Sequence, residues 1–289
     1  MKVFTKFLSA SNTLAGPRIV SIRLAAVSMF ALGHVGLLYA HDFWIEPVNF
    51  RPVTGDEVPL VLRVGQNLSG DRLPYINDWF SDYRVVAPSG ARPIDGLMGD
   101  DPAGSFQALE SGVHLVGYRS TRDFVELEPA KFDSYLVKEG LEHIIDLRAE
   151  RGESDRPASE YYSRCAKSLI EVGRGGPDKA YAARLGYTLE LVPQENPYAL
   201  RPGDTLPLLL LYENEPIEGI LIIAFTSDAP DHRVRARTDA DGRAELPLDR
   251  PGLWLVKAVH MIAVPEAVTG ADWESFWASL TFTLDGVAR

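Results

Sequence analysis

The C-terminal half of the chain is a series of short apolar or alternating stretches separated by turn residues. These stretches cover residues 206–212, 219–226, 233–238, 244–248, 253–261 and 279–284. Asp239-Ala240-Asp241-Gly242, between two of them, is typical of a tight turn that joins antiparallel strands. Several short strands at this spacing predict an antiparallel β-sandwich of the immunoglobulin or transthyretin type.

The N-terminal half repeats the same pattern. Residues 51–62 resemble residues 201–210, because a Gly-Asp pair precedes an apolar run in each stretch. A Gly-x-x-Leu-Val motif follows at a comparable distance, at 112–116 in the first half and at 252–256 in the second. A repeat on this scale predicts two copies of one β unit, and therefore a mainly β fold with two sandwich domains.

Between the two repeats, the apolar side chains follow the period of a helix. Residues 130–151 carry such a pattern, and Gly140 predicts a break that divides it into two helices. Asp155 is predicted to cap a further helix, whose apolar stripe would include Tyr162 and Cys165. Glu160 and Arg164 have the spacing of a surface ion pair on that helix. We therefore expect an α-helical insert between the two sandwich domains.

The first forty residues have the pattern of a secretory signal peptide. Four basic residues and no acidic ones occur there, a mostly apolar run covers 24–38, and Ala40 is a small residue suited to cleavage. The apolar run is shorter than the ~20 residues that a transmembrane helix needs. We expect a periplasmic or otherwise secreted chain, with an uncleaved N-terminal anchor as the alternative. The predicted organisation is a signal peptide at 1–40, an N-terminal sandwich domain at 41–128, a helical insert at 129–186 and a C-terminal sandwich domain at 187–289.

Charge, cysteine content and the motifs present argue against several classes of function. The formal net charge is −11, and it becomes more negative once residues 1–40 are removed, so nucleic acids and anionic membranes are poor partners. Cys165 is the one cysteine, so the chain forms no intrachain disulfide, and we expect it to be a small buried residue. Neither a Gly-x-Ser-x-Gly nor a His-Glu-x-x-His motif is present, so we predict that the protein is not an enzyme.

Cleavage after Ala40 would place His41 at the N-terminus of the mature chain. An α-amino group and an imidazole on one residue form a chelate that suits nickel, cobalt or copper. The last strong predicted strand of each half supplies a further candidate, His114 and His260, and Met261 follows the latter. The predicted metal ligands are therefore His41, His260 and His114. The alternative for His114 and His260 is a hydrogen-bonded histidine at the margin of the core.

Five segments together resemble one exported bacterial family of undefined function, whose members are described as periplasmic components of cobalt or nickel uptake. The segments are His41-Asp42-Phe43-Trp44 and residues 161–167, 238–243, 254–261 and 272–282. The resemblance covers essentially the whole mature chain. In that family a histidine recurs directly after the signal and another recurs before a methionine, which correspond to His41 and His260. The resemblance implies a transition-metal ion as ligand and membrane transport components as partners.

The sequence thus predicts a periplasmic protein that binds nickel, cobalt or copper and delivers the ion to a membrane uptake system. One alternative is a sandwich module that binds a non-metal ligand or a partner protein. In that case the aromatic residues Trp273 and Trp277 would form an exposed contact surface. A second alternative is a copper-dependent oxidase that uses the same N-terminal chelate.

Overall fold

The computed structural model describes residues 41–173, 175, 179–265 and 270–286. The predicted signal peptide at 1–40 lies outside the described residues. The strands are β1 Asp42–Pro47, β2 Glu57–Gln66, β3 Ser69–Leu73, β4 Phe80–Ala87, β5 Gly90–Pro93, β6 Ser105–Gln107, β7 Gly112–Ser120, β8 Asp123–Leu127, β9 Ala158–Val172, β10 Leu189–Pro193, β11 Thr205–Tyr212, β12 Glu215–Pro216, β13 Leu221–Thr226, β14 Ala229–Arg237, β15 Arg243–Pro247, β16 Gly252–Ala263 and β17 Trp273–Leu284. The α-helices are α1 Pro129–Glu139 and α2 Glu142–Glu150, and single 3-10 turns occur at Asn77–Trp79, Ala180–Ala182 and Pro197–Ala199.

The described strands form one large sheet and two small ones. The nine-stranded sheet has the order β14-β13-β16-β17-β9-β7-β4-β5, and β8 also pairs with β9. One small sheet has the order β1-β2-β3 with β6 beside β2, and the other has the order β10-β11-β12 with β15 beside β11. The large sheet contains one parallel pairing, between β17 and β9. The predicted mainly β sandwich fold is confirmed.

The two small sheets pack on opposite faces of the large sheet. Adjacent residues of β7 show this, because Leu115 belongs to the core under the C-terminal small sheet and Val116 to the core under the N-terminal one. The C-terminal core joins Leu208 of β11 to Val256 of β16 and Leu280 of β17. Each small sheet and the strands that it covers therefore make one sandwich, and the two sandwiches share the large sheet.

The predicted repeat reappears as matching hydrogen bonds. Asp56 accepts from the backbone N–H of Val53 at 3.0 Å, and Asp204 accepts from that of Arg201 at 2.8 Å. Each aspartate follows a glycine with positive φ, 99° at Gly55 and 104° at Gly203. The sheet orders match as well, since β5-β4-β7-β9 in the first half corresponds to β14-β13-β16-β17 in the second. The two halves are thus copies of one β unit with the same turn geometry.

The break predicted at Gly140 is confirmed. Gly140 adopts φ +74° at the C-terminus of α1, and its N–H bonds to the carbonyls of Leu136 and Val137. A Cβ at this position would lie 2.7 Å from the side chain of Leu221, so both the backbone conformation and the close approach require glycine. None of the helices among the described residues is long and apolar enough to cross a membrane.

The further helix predicted after Asp155 is wrong, because this segment is β9, the last strand of the first repeat. β9 pairs with β7 and β8 and with β17, and it is covered on both faces. A strand buried on both faces carries apolar residues without strict alternation, so its pattern resembles that of a helix. The helical part of the predicted insert is therefore α1 and α2, which lie between β8 and β9. The predicted domain boundaries stay a prediction.

Candidate binding site around His41

Strand β1 fixes the position of His41, which directly precedes it. Alternate side chains of β1 are buried on opposite faces of the strand. Phe43 packs in the core of the N-terminal sandwich, whereas Trp44 packs against Phe225 and Leu255 on the C-terminal part of the large sheet. Because β1 is held on both sides, the backbone at His41 has a defined place beside β9 and β17.

A buried group of charges holds the same segment. Lys257 of β16 donates to Asp42 Oδ1 at 2.6 Å and to Glu139 Oε1 at 2.8 Å, and all three residues are 2–3% exposed. Burial lowers the pKa of Lys257, but the carboxylates of Asp42 and Glu139 raise it further, so the net shift is upward and the ammonium stays charged. Three elements, β1, α1 and β16, are thus joined next to His41.

His41 lines a small pocket with residues of β9. The pocket has room for about one water molecule. Glu160, Tyr162 and Arg164 face it from β9, because residues two apart on a strand share one face. The remaining lining residues are Val125, Leu127 and Trp277.

Glu160 is the buried acid of this pocket, with 2% of its surface exposed. Its Oε1 atom accepts hydrogen bonds from the hydroxyls of Tyr135, at 3.2 Å, and Ser275. Its Oε2 atom has no hydrogen-bond partner among the described residues. Burial raises the pKa of Glu160 to about 7, although the hydrogen bonds from Ser275 and Tyr135 oppose this shift. The carboxyl group therefore exchanges its proton near neutral pH.

The imidazole of His41 is neutral at neutral pH. Partial burial lowers its pKa, and the positive charge of Lys138 lowers it further, while the carboxylate of Asp42 acts in the opposite direction. A neutral imidazole has a lone pair available for a metal ion or a proton. The pocket therefore brings together a nitrogen donor and a buried carboxyl group.

The structure does not bring the three predicted metal ligands together. His114 on β7 is fully buried, its Nδ1 lies 3.1 Å from the carbonyl oxygen of Gly112, and its ring stacks on Phe106. It pairs with Ile170 of β9, six residues beyond Arg164 and so about 20 Å along the strand from the pocket. Within the described ranges, no group of three or more His, Cys, Asp or Glu side chains has the geometry to hold a metal ion.

His260 lies on the other face of the large sheet. It is an odd number of residues from Lys257 on β16, so the two side chains point in opposite directions. Its ring meets the ring of Tyr212 edge-on, with centroids 4.6 Å apart. His260 therefore lies at the edge of the core, as its alternative expected, but its Nδ1 atom has no hydrogen-bond partner among the described residues. The ring is on the opposite side of the sheet from His41.

His260 is expected to make stability depend on pH. Burial, with a smaller contribution from His143, lowers its pKa to about 4, against about 6.5 in the unfolded chain. Below pH 6.5 the unfolded state binds a proton that the folded state does not bind until about pH 4. The protein is therefore most stable above pH 6.5, and its free energy of unfolding falls progressively between pH 6.5 and 4. Between pH 7.5 and 4.5 we expect a loss of about 2 kcal/mol, discounted for partial exposure. Urea unfolding at both pH values should show a smaller loss in His260→Gln, and equal losses in both proteins would contradict this assignment.

The sequence interpretation missed Glu160 and Arg164 as pocket residues. Their spacing of four fits one helical turn, but it also places two residues on one face of a strand. The helix interpretation put both residues on the surface, whereas β9 buries Glu160 against Ser275 and Tyr135. The missed signal was the absence of glycine and proline over 158–172 together with the aromatic residues Tyr161 and Tyr162, which favour a strand.

The exposed aromatic surface that the alternative of a binding module requires at Trp273 and Trp277 is not found. Trp273 is fully buried and Trp277 is 9% exposed. Tyr135 of α1 stacks on Trp277 with ring centroids 5.4 Å apart, and Arg151 lies over the ring of Trp273. These indoles belong to the core between the helices and the large sheet.

Comparisons with known proteins place the chain in a family but give no function. Among curated proteins, none matches the chain. The chain is similar to the solved D0-D1 domain of intimin, with 10% identity, 83% of this chain and 97% of that chain covered, and a TM-score of 0.19. It is also similar to the Yersinia pseudotuberculosis adhesin InvE, with 11% identity, 86% and 63% covered, and a TM-score of 0.20. A family model described as a domain of unknown function, DUF4198, matches residues 38–262. The chain therefore belongs to the DUF4198 family.

Proposed function

We propose that the protein, exported and cleaved after Ala40, binds one late transition-metal ion at His41 and delivers it to a membrane uptake system. The α-amino group and the imidazole of His41 supply two nitrogen donors, and Glu160 supplies a carboxylate oxygen from the same pocket. Nickel, cobalt and copper suit such a donor set. The ion is cargo, and the membrane transport components are its recipients.

The observation that carries this proposal is the Oε2 atom of Glu160, buried without a hydrogen-bond partner among the described residues in a pocket that His41 also lines. A buried carboxylate oxygen without a partner is costly, and a bound cation would offset that cost. The pocket has room for about one water molecule, which suits a metal ion and is too small for an organic ligand. The resemblance to proteins described in cobalt or nickel uptake supports the same ligand class.

The positive charges near His41 lower the affinity of its imidazole for a metal cation, so the α-amino group is needed as a second donor. Lys138 and Arg164 both act on His41 through their charges, and Asp42 and Asp71 oppose them. A free α-amino group at His41 adds a neutral donor when it loses its proton. The reference pKa of α-amino groups, about 7.7–8.0, means that this loss requires little free energy near neutral pH. The chelate on one residue is therefore the essential part of the site, and Glu160 is the additional donor.

Metal titrations of the chain beginning at His41 test the proposal. We expect His41→Ala, and a form with one alanine added before His41, to bind Ni²⁺, Co²⁺ or Cu²⁺ at least ~100-fold more weakly, since each loses the two-donor chelate. Glu160→Gln keeps the shape of the side chain and should lose about tenfold. Isothermal titration calorimetry with each metal measures these affinities.

His232→Ala is the matched control, because His232 is exposed and pairs with Asp249 at 2.7 Å, away from the pocket. It should bind metal like the unmodified mature chain. Equal affinity in the mature chain, the extended form and His41→Ala would contradict the proposal, as would the absence of binding in the mature chain.

A further inference from the structure

Arg164 is a partly buried guanidinium that lies between two aromatic rings. Its Cζ atom is 4.8 Å from the ring centroid of Tyr162 and 5.5 Å from that of Phe43. No carboxylate of the described residues forms an ion pair with it. Aromatic rings over a guanidinium cover its faces and leave the N–H groups at its margin as donors. One of these donors is directed at the Tyr162 hydroxyl, and the others are available to a ligand. Those donors have the planar arrangement that matches a carboxylate.

The guanidinium faces a groove that continues from the His41 pocket. Tyr162 and Arg164 line both, and the groove has a volume of about 260 Å³. Phe43, Trp79 and Tyr118 contribute aromatic surface to it, and Trp79 is 46% exposed. This volume is just below the ~300 Å³ at which the usual range for ligand pockets begins, so with its aromatic lining the groove suits a small organic molecule.

The other charges of the groove are already engaged. Arg122 lies 3.6 Å from Glu274 and over the ring of Tyr161. The carboxylate of Asp123 accepts hydrogen bonds from the hydroxyl of Tyr162 and from the backbone N–H of Phe124, both at 2.8 Å. Both donors to Asp123 are neutral, so this carboxylate keeps its charge but has its oxygens occupied. Arg164 is the groove cation that forms no ion pair with a carboxylate of the described residues, and one negative charge on a ligand would match it.

We infer that this groove binds a small organic carboxylate, with the carboxylate on Arg164 and a flat apolar body against Trp79, Tyr118 and Phe43. The chemistry of the ligand follows from one guanidinium at one end and aromatic surface along the rest. This site does not depend on the proposed metal site, because neither the groove nor Arg164 requires an ion at His41.

Benzoate is the probe for this site, and benzamide is its neutral counterpart with the same ring. Both are titrated by calorimetry into metal-free mature protein, and the indole N–H of Trp79 is followed by NMR. We expect benzoate to bind at least ~10-fold more tightly than benzamide, because only benzoate forms charge-assisted bonds with the guanidinium. Binding should shift the Trp79 signal. Equal affinity of the two, or no binding of benzoate at millimolar concentration, would overturn the inference.

Variants separate the roles of charge and shape. Arg164→Gln should weaken benzoate binding roughly 10- to 100-fold, and Arg164→Lys should lie between the two because it keeps the charge and loses the planar fork. Arg63→Gln is the control, since Arg63 pairs with Glu46 at 3.0 Å and does not line the groove. His41→Ala should keep benzoate binding even where it loses metal, so the two proposals fail separately. Unchanged benzoate affinity in Arg164→Gln would also overturn the inference.

Discussion

Replacing Lys257 with methionine is expected to lower the free energy of unfolding by ~3–5 kcal/mol. The change removes the ammonium that donates to both Asp42 and Glu139 and leaves two carboxylates that are only 2–3% exposed. Lys138 remains 3.9 Å from Glu139 but lies too far away to replace both hydrogen bonds. The same donor joins β1 to α1 and β16. The variant should therefore also bind metal more weakly, because the segment that carries His41 loses its anchor.

Chemical unfolding of the mature protein measures this effect, and two further variants identify its cause. Combining Lys257→Met with Asp42→Asn and Glu139→Gln removes the unpaired charges and should restore a large part of the stability. Lys179→Met removes an exposed lysine and should change stability by less than ~0.5 kcal/mol. A loss of under ~1 kcal/mol in Lys257→Met would show that water reaches the two carboxylates.

Replacing Lys167 with methionine is expected to lower the free energy of unfolding by ~3 kcal/mol or more, because it breaks a second buried ion pair. Lys167 of β9 lies 2.5 Å from Glu190, and both side chains are almost fully buried. The ammonium also donates to the carbonyls of Leu191 and Ala183, at 3.0 and 3.2 Å. Removing it leaves two carbonyls and a carboxylate short of a donor inside the C-terminal sandwich.

Glu190 provides a check on this second prediction, because its carboxylate also accepts from the backbone N–H groups of Leu185, Gly186 and Tyr187. These three donors should keep Glu190 partly satisfied in Lys167→Met. Glu190→Ala, in contrast, should speed hydrogen exchange at those three amides, since they lose their acceptor. Urea unfolding and hydrogen exchange measure the two effects, and unchanged exchange in Glu190→Ala would contradict the role of this carboxylate.

Local turn chemistry was the part of the fold that the sequence predicted best. Gly55 and Gly203 each stand before an aspartate that accepts from a backbone N–H three residues earlier, so one short motif carries its own hydrogen bonds. Gly140 likewise ends α1 through its own backbone conformation. Such features depend on neighbours in the sequence, and a single chain therefore suffices to predict them.

The interior of β9 depends on neighbours that are remote in the sequence. More than 150 residues of chain separate its two partner strands, β7 and β17. Its two faces also pack against different hydrophobic cores. The same holds for the pocket, since Glu160 is buried by Tyr135 and Ser275 from two other elements. His41 could be proposed from the sequence because its proposed role depends on its place after Ala40, whereas Glu160, which lines the same pocket, could be identified only from the structure.

The parallel pairing of β9 with β17 also protects the protein from self-association. If the two sandwiches were separated, each would present a long unpaired strand whose N–H and C=O groups are a template for another chain. In the intact sheet these two strands hydrogen-bond to each other from Trp273 and Glu160 to Thr281 and Ser168. Neither half is therefore expected to be soluble on its own, because either one would expose a long unpaired strand.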